Sequence, residues 1–276
     1  MQTWMLNPIN DSVAQFVECY WYIEKEPGDD SEPNPKLYPD FAPTLILTTD
    51  KQQYAHQDLI QKTPGPHWIY PYLNTYTLDH SSPFKLLGIK FKAWALYALP
   101  IEYTKHDIGS VQDADINTLL KIKDTQFQEL MSQAAHEPEI IRDVLDNLLN
   151  QWSNEYKPDN YSRLVKKVMP LLKDQAIKEL GMTLHSSQRS LERAFSRVTH
   201  LSMKQCQTIL RLEAILEHLF KQDLEAVNWA EVAMAFDFSD QPHMVRTIKQ
   251  LIGKTPGEYA RQQDLTIDVY GGFELE

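Results

Sequence analysis

The stretch SLERAFSRVTHLSMKQ, residues 190–205, is repeated in altered form as HMVRTIKQLIGKTPGE, residues 243–258. The two stretches align without a gap at a constant offset of 53 residues (243 − 190). The matched pairs include Arg193 with Arg246, Phe195 with Ile248, Val198 with Leu251, Ser202 with Thr255 and Gln205 with Glu258. Because charged, apolar and capping residues all keep this register, the repeat predicts two copies of one structural unit.

Each copy has the periodicity of an amphipathic helix. In the second copy, Met244, Ile248 and Leu251 recur at i, i+4 and i+7, which places them on one buried face. The matching apolar positions of the first copy are Leu191, Ala194, Phe195 and Val198. The opposite face of both helices is polar and partly basic, so each helix is predicted to have a packed back and an exposed front.

Helix start signals surround both copies. Ser186 or Ser187 is the predicted N-cap of the first helix, and Ser239 is that of the second. A second start signal follows each helix, at residues 202–205 and at residues 255–258, in the pattern of a capping box. Another helix is therefore expected after each copy.

A shorter helical pattern and a break precede each exposed helix. Residues 176–180 run into Gly181, and residues 229–235 run into the turn at residues 236–239. Helix, turn, helix is the order of a DNA-binding motif whose second helix enters the major groove. One such pair is equally typical of a small helical bundle, but two copies in register favour DNA binding.

This pattern resembles the DNA-binding domain of the AraC/XylS family of bacterial transcriptional regulators. The resemblance covers about residues 177–259 and rests first on FDFSDQPH at 236–243, Arg246, Lys249 and TPGEY at 255–259. The first half contributes Ser187, Leu191, Arg193, Phe195 and RLEA at 211–214. It implies an all-α domain in which a long helix joins two helix-turn-helix motifs, with both recognition helices in successive major grooves.

The resemblance also implies which residues face DNA. The base-facing positions are Arg189, Glu192 and Arg193 in the first recognition helix and Gln241, His243 and Arg246 in the second. Arg can bind guanine O6 and N7, Gln can pair with adenine, and Glu can accept from cytosine N4. Phosphate contacts are expected from Arg197, Lys204 and Lys249. For each arginine by itself, a solvated surface charge is the alternative, and His243 equally fits a surface position without a role.

Three residues depart from the family pattern. Asp237 and His200 stand where the family usually has Gly, and Met203 stands where it usually has Pro. Asp and His adopt positive φ more readily than most residues other than Gly. We therefore expect both turns to form at some local cost, with the tilt of the recognition helices as the property most affected.

Charge is distributed unevenly along the chain. The formal net charge is −11, which is unusual for a DNA-binding protein. Residues 1–154 hold 11 Lys and Arg against 21 Asp and Glu, residues 157–211 hold 11 against 4, and residues 212–276 hold 5 against 12. The first helix-turn-helix is therefore predicted to provide most of the attraction to DNA, and the second mainly base contacts.

Composition is that of a soluble cytoplasmic protein. The 276 residues, 42% of them hydrophobic, allow two domains. No apolar run approaches the roughly 20 residues that span a membrane, and the N-terminus lacks a secretory signal pattern. The two cysteines, Cys19 and Cys206, fall in different predicted domains, which favours free thiols in a reducing compartment. We expect no membrane partner.

The N-terminal half has the pattern of a β domain. Eleven of the 16 prolines lie in the first 100 residues, between short aromatic and β-branched runs. These runs, at residues 19–23, 44–49, 68–70 and 86–91, predict a β-sandwich or barrel. Residues 138–152 form an amphipathic helix that either supplies a dimer seam or covers the sheet. The arrangement resembles the cupin-like effector domain of many AraC/XylS regulators, which implies a sensor or dimerisation module.

Candidate ligand residues in this half are aromatic. They are Tyr20, Tyr22, Trp68 and Tyr70, which either line an apolar small-molecule pocket or fill a β core. Three histidines, His56, His67 and His80, are present, but no His-x-His pair with a downstream Glu and His completes a cupin metal site. Phosphate loops, nucleophile elbows and Cys-x-x-Cys pairs are also absent from the sequence. We therefore expect no cofactor, no metal and no catalysis.

Together these patterns predict an α+β chain. A cupin-like β-sandwich or barrel domain with flanking helices occupies residues 1–153, and an all-α domain with two helix-turn-helix motifs occupies residues 160–265. The predicted function is that of a transcriptional regulator that binds promoter DNA sequence-specifically and responds to a small molecule. RNA polymerase and a second copy of the chain are further expected partners. The alternative is a ligand-binding or enzymatic β domain whose helical tail binds another protein.

Overall fold

A β-rich N-terminal half is followed by a series of helices, as seen in a computed structural model that describes residues 1–221 and 227–270. The strands are β1 (Gln2–Leu6), β2 (Val17–Lys25), β3 (Lys36–Leu37), β4 (Thr44–Leu47), β5 (Gln52–His56), β6 (Leu59–Thr63), β7 (His67–Ile69), β8 (Tyr76–Leu78), β9 (Phe84–Phe91) and β10 (Val111–Asp113). The helices are α1 (Ala95–Ala98), α2 (Ile116–Leu119), α3 (Asp124–Gln133), α4 (Pro138–Ser153), α5 (Asn160–Val168), α6 (Leu180–Thr183), α7 (Gln188–Thr199), α8 (Met203–Phe220), α9 (Trp229–Ala235), α10 (Gln241–Ile252), α11 (Pro256–Gln262) and α12 (Thr266–Tyr270). This order confirms the predicted α+β class.

The strands form two sheets. One has six strands in the order β1-β2-β9-β4-β7-β10, and the other has four in the order β3-β8-β5-β6. Neighbouring strands pair antiparallel in both sheets. Because successive side chains of a strand point to opposite faces, β2 sends Tyr20 and Tyr22 into one core and Trp21 and Ile23 towards the other.

Helix α4 covers one face of the six-stranded sheet. Its buried side chains are Ile141, Leu145, Asp146, Leu149 and Trp152. The carboxylate of Asp146 accepts a hydrogen bond from the hydroxyl of Tyr20 at 2.7 Å, which ties the helix to β2. Of the two alternatives for residues 138–152, covering the sheet is thus the one that the structure shows.

Helix α8 runs through two helical cores. Met203, Cys206 and Ile209 pack with α5 and α7 in the first core. Leu212, Ile215, Leu216 and Leu219 pack with α9 and α10 in the second. Because α8 is part of both cores, it fixes the position of α7 relative to α10. Cys206 and Cys19 are both buried free thiols.

The two halves of the chain also pack against each other. Phe41, Ala42 and Ala93 of the N-terminal half are buried in the same core as α5 and α7. Residues 154–159, which separate the two predicted domains, run from the end of α4 to the start of α5, while the domain bounds 1–153 and 160–265 stay a prediction. Among residues 1–221 and 227–270, no helix combines the length and apolar character that crossing a bilayer requires.

Candidate nucleic-acid interface and ligand cavity

Helices α7 and α10 occupy the two copies of the sequence repeat. Both are 12 residues long, and both ends keep the offset of 53 residues. Each ends at a residue in the left-handed region, His200 at φ +58° and Gly253 at φ +75°. The following helices, α8 and α11, begin at Met203 and Pro256, again 53 residues apart. The sequence repeat is therefore a repeat of structure, and His200 adopts the positive φ expected of it.

Side-chain oxygens at matching positions cap the two helices. Ser187 accepts from the backbone N–H of Ser190 at 3.1 Å, as one of the two predicted alternatives has it. Asp240 accepts from the N–H of His243 at 2.6 Å, so the prediction of Ser239 as the second N-cap is wrong. A carboxylate at this position satisfies an unpaired N–H and also interacts favourably with the helix dipole. The hydroxyl of Ser239 hydrogen-bonds Nδ1 of His243 at 3.1 Å.

Both second start signals are complete capping boxes. The N–H of Gln205 donates to the hydroxyl of Ser202 at 3.2 Å, and the N–H of Ser202 donates to the Gln205 side chain at 2.8 Å. Thr255 and Glu258 make the same exchange at 3.3 and 2.7 Å. Replacement of the family's Pro by Met203 therefore leaves the first box intact.

The turns before α7 and α10 differ in detail. Helix α6 continues through Gly181, so the predicted break at that residue is wrong, and the left-handed residue is His185 at φ +49°. Gly181 is needed for another reason, since a Cβ there would come within 3.0 Å of the carbonyl oxygen of Ser186. In the second copy, Asp237 has φ +55°, which confirms that it replaces Gly in a left-handed turn.

The polar fronts of α7 and α10 are exposed. The exposed base-facing candidates are Arg189, Glu192, Arg193, Gln241 and Arg246. His243 is half-buried, and its ring packs edge-on against Phe238 at 5.3 Å. Lys204 and Lys249, the lysines expected at phosphates, are exposed as well. Helix α8, with 18 residues, spans about 27 Å between the two motifs.

Residues 180–262 match the protein family described as "Helix-turn-helix domain". The match includes the helix pair α6 and α7, the helix pair α9 and α10, and α8 between the two pairs. This part of the chain is an AraC-type helix-turn-helix domain. We call this matched region, from the start of α6 to the end of α11, the AraC-type domain.

Three solved structures are similar to the chain. ToxT from Vibrio cholerae is 7% identical with a TM-score of 0.47, over 91% of this chain and 99% of that one. ToxT from Vibrio cholerae O395 bound to (E)-4-(8-methylnaphthalen-1-yl)but-3-enoic acid is 8% identical with a TM-score of 0.46, over 95% and 99%. The C-terminal domain of AraT, a response regulator from Geobacillus stearothermophilus, is 18% identical with a TM-score of 0.35, over 39% and 92%. No curated protein matches the chain in sequence.

Arg197 of the AraC-type domain is bound to residues outside that domain. Its Nε donates to the hydroxyl of Tyr97 at 2.8 Å, and its guanidinium lies 4.7 Å from the ring centroid of Tyr161. Tyr97 in turn donates to the carboxylate of Asp159 at 2.9 Å. A guanidinium held in this way has fewer donors free for a phosphate. In the described arrangement, Arg197 joins the AraC-type domain to α1 and α5.

The N-terminal half also contacts the last turn of both recognition helices. The hydroxyl of Tyr103 donates to the backbone carbonyl of Thr199 at 3.0 Å, and its ring packs edge-on against His200 at 4.8 Å. The hydroxyl of Thr75 donates to the backbone carbonyl of Leu251 at 2.6 Å. Carbonyls in the last turn of a helix have no partner within it, so these hydroxyls satisfy them. The two recognition helices are thereby held at equivalent ends.

The segment after α11 returns to the N-terminal half. Asp264 accepts from Nζ of Lys36 at 2.9 Å and from Nζ of Lys254 at 2.5 Å. Burial opposes the charge on Asp264, but these two ammonium groups hold the pKa of the carboxyl below its ordinary value. At the end of α12, the hydroxyl of Tyr270 hydrogen-bonds Nδ1 of His80. Helix α12 is therefore attached to the β domain at both of its ends.

A cavity of about 840 Å³ lies between the two sheets and is closed by α8 and α12. We call it the interdomain cavity. Its apolar walls include Trp21, Ile23, Ile46 and Leu86 of the six-stranded sheet and Leu37, Tyr54 and Leu78 of the four-stranded sheet. Helix α8 contributes Glu213, Glu217 and Phe220, and α12 contributes Ile267 and Tyr270. The cavity therefore touches the β domain and the helix that joins the two helix-turn-helix motifs.

Charged groups cluster at one side of the interdomain cavity. Nζ of Lys90 lies 2.9 Å from the carboxylate of Asp40 and 3.7 Å from that of Glu18. Burial opposes the charge on Lys90, but the surrounding carboxylates keep its pKa well above the ordinary value. Burial, with smaller contributions from Asp40, Glu18 and Glu217, raises the pKa of Glu213 to about 7, against the opposing effect of Lys90.

The four aromatic residues predicted to bind a ligand lie elsewhere. Tyr20, Tyr22, Trp68 and Tyr70 are buried in the main core of the β domain, and none of them is among the described residues that line the interdomain cavity. The structure thus shows the alternative, in which these rings fill the core. Trp21, between the two tyrosines of β2, does line the cavity. Neighbouring residues of a strand face opposite sides, so Trp21 faces this cavity and Tyr20 and Tyr22 do not.

The three histidines of the β domain have separate surroundings. In His67, Nδ1 lies 2.7 Å from the carbonyl oxygen of Gly65 and Nε2 lies 2.7 Å from the hydroxyl of Tyr54. Burial lowers the pKa of His67 to about 4 and that of His80 to about 3. Nδ1 of His56 lies 3.1 Å from the carbonyl oxygen of Thr75. Within the described part of the chain, no cluster of three or more His, Cys, Asp or Glu could hold a metal ion.

Proposed function

We propose that this chain is a transcriptional regulator that binds promoter DNA sequence-specifically through residues 160–265 and senses a small molecule through residues 1–153. The observation that carries the proposal is the pair of capped helices α7 and α10, held in register by α8, in the region that matches the helix-turn-helix family. Their exposed arginines, Arg193 and Arg246, occupy equivalent positions of the two copies.

The dimensions of α8 suit two recognition helices on one face of DNA. The helix is about 27 Å long, and recognition helices in successive major grooves lie roughly 34 Å apart. In the proposal, Arg189, Glu192, Arg193, Gln241 and Arg246 contact base edges, His243 supports the start of α10, and Lys204 and Lys249 hold phosphates.

The interdomain cavity supports the proposed response to a small molecule. Its volume of about 840 Å³ lies within the range of about 300–1,000 Å³ that is usual for ligand pockets. Because α8 forms part of its wall, a ligand there would contact the AraC-type domain directly. ToxT, one of the similar structures, is bound to an organic acid. The present proposal rests on the cavity of this chain. We further propose a cytoplasmic location, RNA polymerase as a partner and a homodimer.

Fragments of the source genome selected by binding to the full chain would test the function. With a selected fragment at fixed salt, Arg193→Ala and Arg246→Ala should each weaken binding by about 1–3 kcal/mol, that is, roughly 5- to 150-fold. Arg261→Ala removes the same charge from an exposed position of α11 and is the matched control. If both variants bind the fragment as tightly as the control does, the proposal fails and a helical tail for protein interaction gains support.

A further inference from the structure

Glu213 has a carboxyl group without a hydrogen-bond or ion-pair partner among the described residues and lies in the interdomain cavity. It lies near the middle of α8 and lines the cavity. Among residues 1–221 and 227–270, no side chain or backbone group hydrogen-bonds its carboxyl group or forms an ion pair with it within 4.0 Å. The nearby ammonium group, that of Lys90, is already paired with Asp40 at 2.9 Å. Glu213 is half-buried, and a carboxyl group that lines a cavity without a protein partner is available to pair with a ligand, which indicates a binding role.

The charge balance around Glu213 defines the missing partner. The charged groups that act on it are Glu18 of β2, Asp40 of the loop before β4, Lys90 of β9 and Glu217 of α8. Lys221, which directly follows α8, also lines the cavity. The lining thus holds four carboxyl groups, those of Glu18, Asp40, Glu213 and Glu217, against two ammonium groups, and two of the carboxylates already approach Lys90. A ligand with a positive group would balance this excess, whereas a carboxylate ligand would increase it.

The rest of the cavity suits an apolar ligand body. Trp21 and Tyr38 present aromatic rings, and Ile23, Ile46 and Leu86 form an aliphatic wall. Aromatic faces also attract organic cations, so the rings would favour a ligand whose positive group lies close to them. Apolar walls with few polar groups are the usual form of a ligand pocket, in which the polar groups determine orientation.

We propose that the interdomain cavity binds an organic amine with an apolar body, whose ammonium group pairs with the carboxylate of Glu213. This inference deepens the proposed function, on which its regulatory meaning rests, and names the chemical class of the signal. Glu213 lies on the helix that holds α7 and α10 in register, so the ammonium group would bind to the element that determines their relative position.

A matched series of probes tests the ligand class. 4-Phenylbutylamine, 4-phenylbutanol and 4-phenylbutanoate share one apolar body and differ in the charge of the head group. Titration calorimetry with the full chain at pH 8 should show the amine binding at least about tenfold more tightly than the alcohol, and the carboxylate more weakly than the alcohol. Tightest binding by the carboxylate, or no binding of the amine at millimolar concentration, would overturn the proposal.

Two variants distinguish direct pairing of the amine with Glu213 from a general attraction to the negative charge of the cavity. Glu213→Gln should bring the affinity for the amine to within about threefold of that for the alcohol and leave the affinity for the alcohol unchanged. Glu217→Gln removes an exposed carboxylate one turn further along α8 and should keep the preference for the amine. A preference for the amine that survives Glu213→Gln would contradict the assignment. Glutamine has the same shape as glutamate and no charge, so the variant is expected to fold.

Promoter binding by the same preparations separates this proposal from the proposed function. Binding of the amine by a chain that does not bind DNA would contradict the regulator and keep the ligand class. DNA binding by a chain that shows no preference for the amine would contradict the ligand class and keep the regulator.

Discussion

Glu213 shows what one buried carboxyl group does to stability. Its pKa, 4.5 in ordinary surroundings, rises to about 7 because burial and the neighbouring carboxylates disfavour the charged form. Between these two pH values the folded chain therefore binds more protons than the unfolded chain does. The free energy of unfolding falls as pH rises wherever the folded state holds more protons, so this group destabilises the fold progressively from about pH 4.5 to pH 7.

Glu213→Gln should therefore raise the free energy of unfolding at pH 8 and change it little at pH 4.5. The gain at pH 8 should be on the order of 1–3 kcal/mol, since each unit of pKa corresponds to about 1.4 kcal/mol. Urea unfolding of both proteins at several pH values between 4.5 and 8 measures the difference, with Glu217→Gln as the control for the loss of a carboxylate. A difference that does not grow with pH would show that Glu213 is not desolvated in the folded chain.

Gly88 is a second residue whose role depends on one close contact. The indole ring of Trp21 lies directly against Gly88 on the neighbouring strand, in the space that a Cβ would occupy. Gly88→Ala should therefore push the indole into the interdomain cavity and lower stability by about 1–3 kcal/mol. Gly65→Ala is the matched control, because its Cβ would have only the carbonyl oxygen of Thr48 nearby, at 3.7 Å. Urea unfolding checks this, and equal stability of the two variants would contradict it.

Among elements, the turn between α9 and α10 forms without the glycine typical of the family. Asp237 adopts φ +55° there, and no hydrogen bond of its side chain to a described residue compensates for the strain. The end of α10 instead has Gly253 at φ +75°. Left-handed backbone is unfavourable for residues with a Cβ, less so for Asp than for most others.

Asp237→Gly should therefore stabilise the AraC-type domain, whereas Gly253→Ala should destabilise it. The gain is limited to about 0.5–1 kcal/mol because glycine also increases the entropy of the unfolded chain, and the loss at Gly253 should exceed about 1 kcal/mol. Thermal unfolding of both variants shows whether each substitution raises or lowers stability. If Asp237→Gly is clearly less stable than the unchanged chain, the turn is not under strain.

At the scale of the whole molecule, the N-terminal half contacts the AraC-type domain through both of its recognition helices. Tyr103 and Thr75 bind the last turns of α7 and α10, and Tyr97 binds Arg197. Asp264 joins Lys36 of the β domain to the end of the AraC-type domain. The β domain is thus in direct contact with both helices and with Arg197. A conformational change in the β domain can therefore alter the orientation of the helices and the availability of Arg197 for DNA.

Tyr97→Phe should release Arg197 for DNA. The variant removes the hydroxyl that accepts from Arg197 and should steepen the dependence of log K on log salt concentration by about 0.9, the value for one additional phosphate contact. Fluorescence anisotropy with a non-specific duplex over a range of salt concentrations measures the slope. In an Arg197→Ala background the substitution should have no effect on the slope, and an equal effect there would show that another group is responsible.

The sequence by itself determined the helices of the AraC-type domain. Residues 188–199 and 241–252 could be assigned because caps, apolar periodicity and C-terminal left-handed residues lie within a few positions of one another and occur twice in register. Positive φ at Asp237 and His200 was expected because the family resemblance has Gly at both positions. The error at Ser239 is a shift of one residue between two capping side chains, Ser239 and Asp240, and the offset of 53 residues from Ser187 already favours Asp240.

Tertiary structure decided the cavity and its charges. Alternation along β2 separates Tyr20 from Trp21, but only pairing with β9 and the position of the second sheet determine which of the two faces the interdomain cavity. Glu213, Lys90 and Asp40 lie far apart in the chain, and no local pattern brings their side chains together. The binding of Arg197 by Tyr97 is likewise a contact across 100 residues. Short-range hydrogen bonds and periodicity depend on neighbouring residues, whereas the interdomain cavity forms only where elements distant in the chain pack together.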